Sequence, residues 1–496
     1  MPILRPYQNE AIEKSVELIR AGRRRILVVA PTGAGKTVIA AEIVRRTLAR
    51  GNRTLFVAHR RELITQSVAK LEDSGIPSSN VGIIMRGLDR NAHAPVQVAS
   101  IQTLVNRSLA AFDVLIIDEA HRALAKSYVT LADSLPGAVK LGFTATPWRG
   151  DQKGLNEAYD EMVIVSTVRN LIREGYLLKP ECWSVPAECL PDLSGVKVSR
   201  GPGGLDYDER QLGDACDKVG LVGNVVDHWL SRADGRRTVV FAASVAHSIH
   251  VCERFVAAGV AAEHLDGGTA AVDRDAILAR LRSGVTRVVC NCDVLSEGWD
   301  MPEVEVCILA KPTKSVTKYL QKAGRVLRPY EGKRCIILDH AGCIIEHALP
   351  QSDRDMTLEP PPKKKRGERA PRDAVSIRVC SKCFFTYDAS EGSCPECGAA
   401  PIASPVTMPE ERDGTLVQVE EREDDPLEAL RDRVNRLCKR ADAQLRRSYG
   451  SHATELKRMF GRAVSDRDEA QLRQCVRILE LRLGIRGETA FNADVV

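Results

Sequence analysis

Residues 26–44 read ILVVA-PTGAGKT-VIAAEIV: an apolar run, a glycine-containing loop and a helix-like stretch, in that order. A phosphate-cradling loop needs this context, in which a buried strand turns tightly into a helix whose first backbone N–H groups face an anion. Gly33 and Gly35 give the turn its conformational freedom, and Thr32 and Ala34 share its backbone. Lys36 is placed to neutralise the β and γ phosphates of ATP, and Thr37 to set its hydroxyl on Mg2+. The generic loop opens with glycine, whereas Ala30 stands here.

Outward from this loop the chain alternates short apolar runs with amphipathic stretches. TLFVAH, VQVAS, DVLIIDEA and VKLGFTATP follow, and after residue 237 a second series appears: TVVFAAS, AAEHLDG, TRVVCNCDVL, EVCILAKP and KRCIILDH. Unbroken apolar runs separated by helical segments are the pattern of parallel strands buried on both faces, so an α/β fold with two such domains is predicted. The expected divisions are 1–165, a connector 166–223, 224–350, a Pro-rich basic linker 351–375, a cysteine module 376–402, an acidic linker 403–425 and a helical region 426–496. In the last of these, Leu427, Leu430, Val434 and Leu437 fall on one helix face.

DVLIIDEAH sets two carboxylates at a strand end, where open parallel sheets place their ligand chemistry. Asp118 is expected to hold Mg2+ through water. Glu119 is expected to orient the attacking water, because phosphoryl transfer asks for a positioned nucleophile and stabilised charge rather than covalent help. In YLQKAGRVLRP, the spacing of Gln321, Arg325 and Arg328 by four and three residues puts them on one helical face.

Taken in order across about Leu4 to Pro329, these stretches resemble superfamily 2 helicases, whose loop variant matches Ala30. The resemblance implies two tandem RecA-like domains closing on ATP. LRPYQNEAI is similar to the adenine-recognition element, with Gln8 on the base edge and Arg5 or Tyr7 packed nearby. FVAHRREL and ASIQTL resemble strand-contacting motifs, which implies nucleic-acid contacts at Arg60, Ser100, Gln102 and Thr103. Thr269 in HLDGGTA and Thr313 in KPTKS are further candidates on the second domain. GFTATP implies coupling through Thr144 and Thr146, and His121 is carried over as a coupling residue. CDVLSEGWDMPEVEV resembles motif V, with Gly298 and Asp300 toward the nucleotide, although Glu297, preceded by Ser296, replaces the usual Thr before that glycine. YLQKAGRVLRP resembles motif VI, which implies that Arg325 and Arg328 are the charges brought to the γ-phosphate from the opposite domain. Together with FAASVAHS and ILDHAG, the cysteines that follow resemble bacterial RadD-like helicases, with phage UvsW-like ones the neighbouring possibility.

Cys380 and Cys383 form one Cys-x₂-Cys pair and Cys394 and Cys397 another, ten residues apart. Four thiolates so spaced suit a structural Zn2+, with iron as the alternative. Phe384, Phe385 and Tyr387 between them are candidates either to stack bases or to form the core of the module. The KKKR run from Lys363 to Arg366 reads as a solvated linker or a phosphate grip. A net charge of +5 permits nucleic-acid contact without arguing for it. Fifteen cysteines in this setting suggest reduced thiols or ligands rather than disulfides. The polar opening MPILRPYQNEAIEKSV and the lack of a long apolar run lead to the expectation of a cytoplasmic, nucleoid-associated protein of a bacterium or phage-infected cell. Its expected partners are DNA before RNA, a single-strand-binding protein as an option, and no membrane.

Overall fold

The apolar runs of the first series become neighbouring strands because each is buried on both faces. In the computed structural model these are β1 (Arg25–Val29), β2 (Thr54–Ala58), β3 (Val81–Ile84), β4 (Val96–Ser100), β5 (Val114–Asp118), β6 (Val139–Thr144) and β7 (Glu161–Ile164), in a parallel sheet ordered β3-β4-β2-β5-β6-β1-β7. The structure describes residues 3–105, 107, 109–148, 154–185, 190–201, 204–296, 299–359, 377–380, 382–388, 391–400, 434, 437, 438 and 469–483. By contacts the chain forms two units, Met1–Ser404 and Pro405–Val496.

The second sheet, also parallel, runs β12-β13-β11-β14-β15-β8. Its members are β8 (Glu181–Ser184), β11 (Thr238–Ala242), β12 (Ala262–Leu265), β13 (Val288–Asn291), β14 (Val306–Ala310) and β15 (Ile336–Asp339). The hairpin of β9 (Val198–Gly201) and β10 (Gly204–Tyr207) lies between β8 and β11 in the chain. Residues 166–223, read from sequence as a connector, thus supply an edge strand of the second sheet. ECWS was unreadable as a strand because an edge strand of four residues carries neither a long apolar run nor alternation. Strands β3 and β7 escaped notice for the same reason.

The hairpin is fastened to the second domain through Asp206. This carboxylate accepts from Thr313 Oγ1 at 2.9 Å, Lys314 N at 3.0 Å and Lys318 Nζ at 2.8 Å. The cysteine module forms a short antiparallel pair, β16 (Ile377–Val379) and β17 (Thr386–Asp388), and continues the second domain at the β8 edge through a bridge between Trp183 and Phe385. In the C-terminal unit the helix Glu469–Leu483 buries Leu472, Cys475, Val476 and Leu479 on one stripe, and Val434 is buried. Leu427, Leu430, the KKKR run and Gly298 lie outside the described residues. Among the described residues no helix is long and apolar enough to cross a membrane.

Gly142 shows how tightly the first sheet is covered. A Cβ built there would lie 2.2 Å from the Tyr159 hydroxyl and 2.8 Å from Ala120 Cβ. Tyr159 is itself fully buried, so neither side has room to give. Gly142→Ala should lower unfolding stability by about 1–3 kcal/mol, the usual cost of overpacking. Adding Tyr159→Leu should recover part of that loss, as read by denaturant melts of the two single variants and the pair.

Candidate nucleotide site and cysteine centre

The loop between β1 and the helix Lys36–Leu48 bends through left-handed backbone at Gly33 (φ 89°) and Gly35 (φ 86°). A side chain at Gly35 would also collide with the Gln8 amide at 2.4 Å. Gln8 is held on both ends: Arg5 N donates to its Oε1 at 3.0 Å, and its Nε2 donates to Ala34 O at 2.9 Å. Tyr7 donates to the same carbonyl at 3.2 Å. The Tyr7 ring meets Tyr176 edge-on at 5.1 Å, and Arg5 lies 4.7 Å above Tyr176. The element around Gln8 is thereby fixed against the phosphate loop.

At the end of β5, Lys36 Nζ donates to Glu119 Oε1 at 3.2 Å. From the second domain, Gln321 Nε2 donates to Glu119 Oε2, also at 3.2 Å. His121 Nδ1 lies 3.3 Å from that same oxygen. Glu119 adopts left-handed backbone (φ 52°), which swings its carboxylate off the strand direction and between the domains. Burial pushes its proton affinity up, but the charges of Lys36 and His121 outweigh that and hold it well below the usual carboxylate range. Asp118 is the converse: burial first, and then the Glu119 charge, push it up to about 6.

The helix Val316–Ala323 ends against the phosphate loop, where a Cβ on Gly324 would sit 2.6 Å from Thr32 Cβ, so Arg325 and Arg328 lie in the turn beyond it and do not share the helical face of Gln321 expected from their spacing. Arg325 donates to Trp299 O at 2.6 Å and to Ser296 O at 2.7 Å, and Arg328 pairs with Asp300. Both arginines are thus tied to the motif V segment while lining the same cleft as Lys36 and Glu119. That cleft measures about 600 Å³, and Thr32, Gly33, Gly35, Thr37, Asp118, Asp300 and Gln321 also line it. Thr144 Oγ1 donates to Thr146 O at 2.7 Å, and Thr146 Oγ1 lies 2.8 Å from Thr317 Oγ1 in the other domain. A further cross-domain pair joins Arg274 and Glu62 at 3.1 Å.

Sequence reasoning missed Tyr176, Trp299 and Thr317. Trp299 stood inside the quoted GWD and could have been marked as an aromatic beside the nucleotide. Tyr176 and Thr317 carried no signal, since only folding brings them to the site.

Of the proposed nucleic-acid contacts, Arg60, Ser100, Gln102 and Thr103 share the carboxyl ends of the neighbouring strands β2 and β4. Ser100 Oγ donates to Gln102 Oε1 at 2.6 Å, and Gln102 Nε2 to His59 O at 3.0 Å. Thr269 and Thr313 do not join them. Thr269 closes its own loop through Asp266, and Thr313 is buried against Asp206.

In the cysteine module the four Sγ atoms lie within 4.8 Å of one another, with Cys380–Cys397 and Cys383–Cys394 both at 3.6 Å. A tetrahedral ion with Zn–S bonds of about 2.3 Å separates its sulfurs by about 3.8 Å, so the thiols fit a single ion. A multi-iron cluster, with thiolates spread around a wider core, fits poorly.

Two RecA-like parallel sheets meeting across a phosphate loop, with arginines of one lining the same cleft as the acidic pair of the other, define an ATP-driven motor core. Residues 2–149 match the family described as "Type III restriction enzyme, res subunit", and residues 219–330 the "Helicase conserved C-terminal domain". A 51.5 kDa protein of a Lactococcus phage is 32% identical over 75% of this chain and 77% of its own length. A Saccharomyces cerevisiae protein provisionally named as an ATP-dependent helicase, IRC3, is 31% identical over 69% of this chain, which spans 52% of that relative. In fold, the chain is similar to an ATP-dependent Type ISP restriction-modification enzyme, LlaBIII, solved bound to DNA (TM-score 0.53, 19% identity, 68% of this chain and 27% of that one). The chain belongs to the superfamily 2 helicases, and the two matched segments carry their ATP-dependent motor core.

Gln321→Glu keeps the side-chain size but sets a second carboxylate 3.2 Å from Glu119. Two like charges about 4 Å apart repel by roughly 4 kcal/mol in a partly buried setting. ATPase activity should therefore fall at least tenfold further in Gln321→Glu than in Gln321→Ala, with circular dichroism unchanged in both.

Proposed function

We propose that the chain is a DNA helicase or translocase of repair or recombination, RadD-like in its arrangement of motor and cysteine module. The observation that carries this reading is the grip on Glu119 from both domains, by Lys36 on one side and Gln321 on the other. Closing the cleft completes the charge environment of the candidate water-orienting base, so hydrolysis is tied to domain motion.

In this reading Lys36 neutralises the β and γ phosphates, and the loop from Thr32 to Thr37 cradles them with its N–H groups. Thr37 and Asp118 hold Mg2+, which supplies charge neutralisation across the phosphates. Glu119 positions the attacking water. Nucleotide entry then demands a rearrangement at motif VI: Arg325 and Arg328 release the motif V carbonyls and Asp300 and turn to the γ-phosphate. An arginine brought to the transferring group this way is worth about 10³ to 10⁵ in rate. Gln8 and Arg5 recognise the adenine. His121, Thr144 and Thr146 pass the state of the site across the interface, the last through Thr317.

Arg60, Ser100, Gln102 and Thr103 follow the phosphate backbone, which makes binding salt dependent and indifferent to sequence. The four cysteines hold a structural Zn2+, and the helical C-terminal region steers substrate choice. The match to restriction-enzyme motors favours a second reading, translocation along duplex or fork remodelling without strand separation, within a larger assembly.

ATP turnover by the purified chain should rise with added DNA, compared across single-stranded, duplex, forked and RNA substrates. A rate indifferent to all of them would sink the motor reading. Lys36→Ala and Glu119→Gln should each abolish turnover with folding intact. Displacement of a triplex strand without duplex unwinding would select the second reading. Metal analysis is expected to find one zinc per chain, lost in Cys394→Ser; iron in its place would overturn the zinc assignment.

A further inference from the structure

The two halves of the cysteine module follow one plan. Each knuckle closes with a backbone N–H donating back to its first cysteine: Phe384 N to Cys380 O and Gly398 N to Cys394 O, both at 2.8 Å. The next residue accepts from that cysteine's N–H, Phe385 O in one half and Ala399 O in the other, both at 2.9 Å. This turn requires left-handed backbone, φ 69° at Gly398 and 64° at Phe384. Glycine adopts it freely, whereas phenylalanine does so against its steric preference. Nor does burial compensate Phe384, which is 39% exposed, while Phe385 packs edge-on against Trp183 at 5.2 Å and Tyr387 is buried in the module.

Phe384 forms one wall of a cavity of about 360 Å³ between the module and the second motor domain, lined also by Trp183, Ser184, Asn224, His228 and His340. The two imidazoles stack at 5.1 Å with 26° between planes. Burial pushes the proton affinity of both down, that of His340 to about 3, so they present neutral aromatic faces. Ser184 is 3% exposed, and its hydroxyl has no hydrogen-bond partner among the described residues. Arg232 stacks 4.0 Å over Trp183 at the cavity edge and donates to Cys383 O. Ser184 sits opposite Asp339 in register, so the cavity opens at the carboxyl ends of β8 and β15. Open parallel sheets bind their ligands there.

We propose that this cavity receives an unpaired nucleobase of the strand on which the motor acts, stacked against Phe384 and the imidazole pair, with its polar edge toward Ser184 and the strand's phosphates toward Arg232. The assignment rests on the reading of the chain as a nucleic-acid motor. Flat π faces with few polar groups hold any base and read little sequence, as single-strand stacking platforms do. The cavity falls within the size range of small-ligand pockets.

Phe384→Gly separates folding from binding, because it copies Gly398 and removes the backbone strain. The full chain is titrated by fluorescence anisotropy against labelled oligothymidylate and a strand of the same length with abasic sites. The wild type should prefer the base-bearing strand, and in Phe384→Gly that preference should fall on the order of tenfold. Phe384→Trp should keep it, and zinc content should be the same in all three proteins. A preference unchanged in Phe384→Gly overturns the assignment. A wild type without preference also overturns it and leaves the cavity to a protein segment. DNA stimulation of wild-type ATPase, measured on the same samples, reports on the motor reading separately.

Discussion

Two adjacent carboxylates, Asp118 and Glu119, end a strand in a buried site, and ionising both there is costly unless cations and donors surround them. Lys36 and His121 hold Glu119 well below the usual carboxylate range, while Asp118 is pushed up to about 6. The remaining Glu119 oxygen takes its donor from Gln321 in the other domain. The second domain thus adds a donor to a carboxylate that Lys36 and His121 already flank from the first. Around that contact lie the close seating of Gly324 on Thr32, the left-handed turn at Glu119 and the paired threonines across the interface.

The same constraint organises the second domain. Arg325 and Arg328 line one cleft with Lys36, and their charges are held by Trp299 O, Ser296 O and Asp300. Motifs V and VI are thereby joined by hydrogen bonds and an ion pair on the second-domain side of the cleft. The Asp206 hairpin fastens to Lys314 and Lys318, which ties this insertion to the helix that carries Gln321.

Much of the nucleotide site was legible in the sequence because its residues are consecutive. ILVVAPTGAGKT and DVLIIDEAH each encode a strand, its end and the chemistry at that end within a dozen residues. Where a function needs residues from separate elements, the signal thins. Thr269 and Thr313 matched loops by motif position, yet their hydroxyls are occupied by Asp266 and Asp206, partners that only the folded loops supply. Phe384, Phe385 and Tyr387 look alike in sequence, and the knuckle geometry sorts two into packing and leaves one facing a cavity.

By itself the sequence determined the α/β class, the two series of buried strands, the phosphate loop and the spacing of the four thiols, since each rests on local periodicity or contiguous chemistry. Tertiary structure alone decided that ECWS joins the second sheet, that Tyr176 and Thr317 belong to the nucleotide cleft or its interface, and that Gln321 meets Glu119. The physical reason is the same in each case. Strand pairing at an edge and hydrogen bonds between domains depend on distance in space, and residues 202 positions apart leave no local pattern of their meeting.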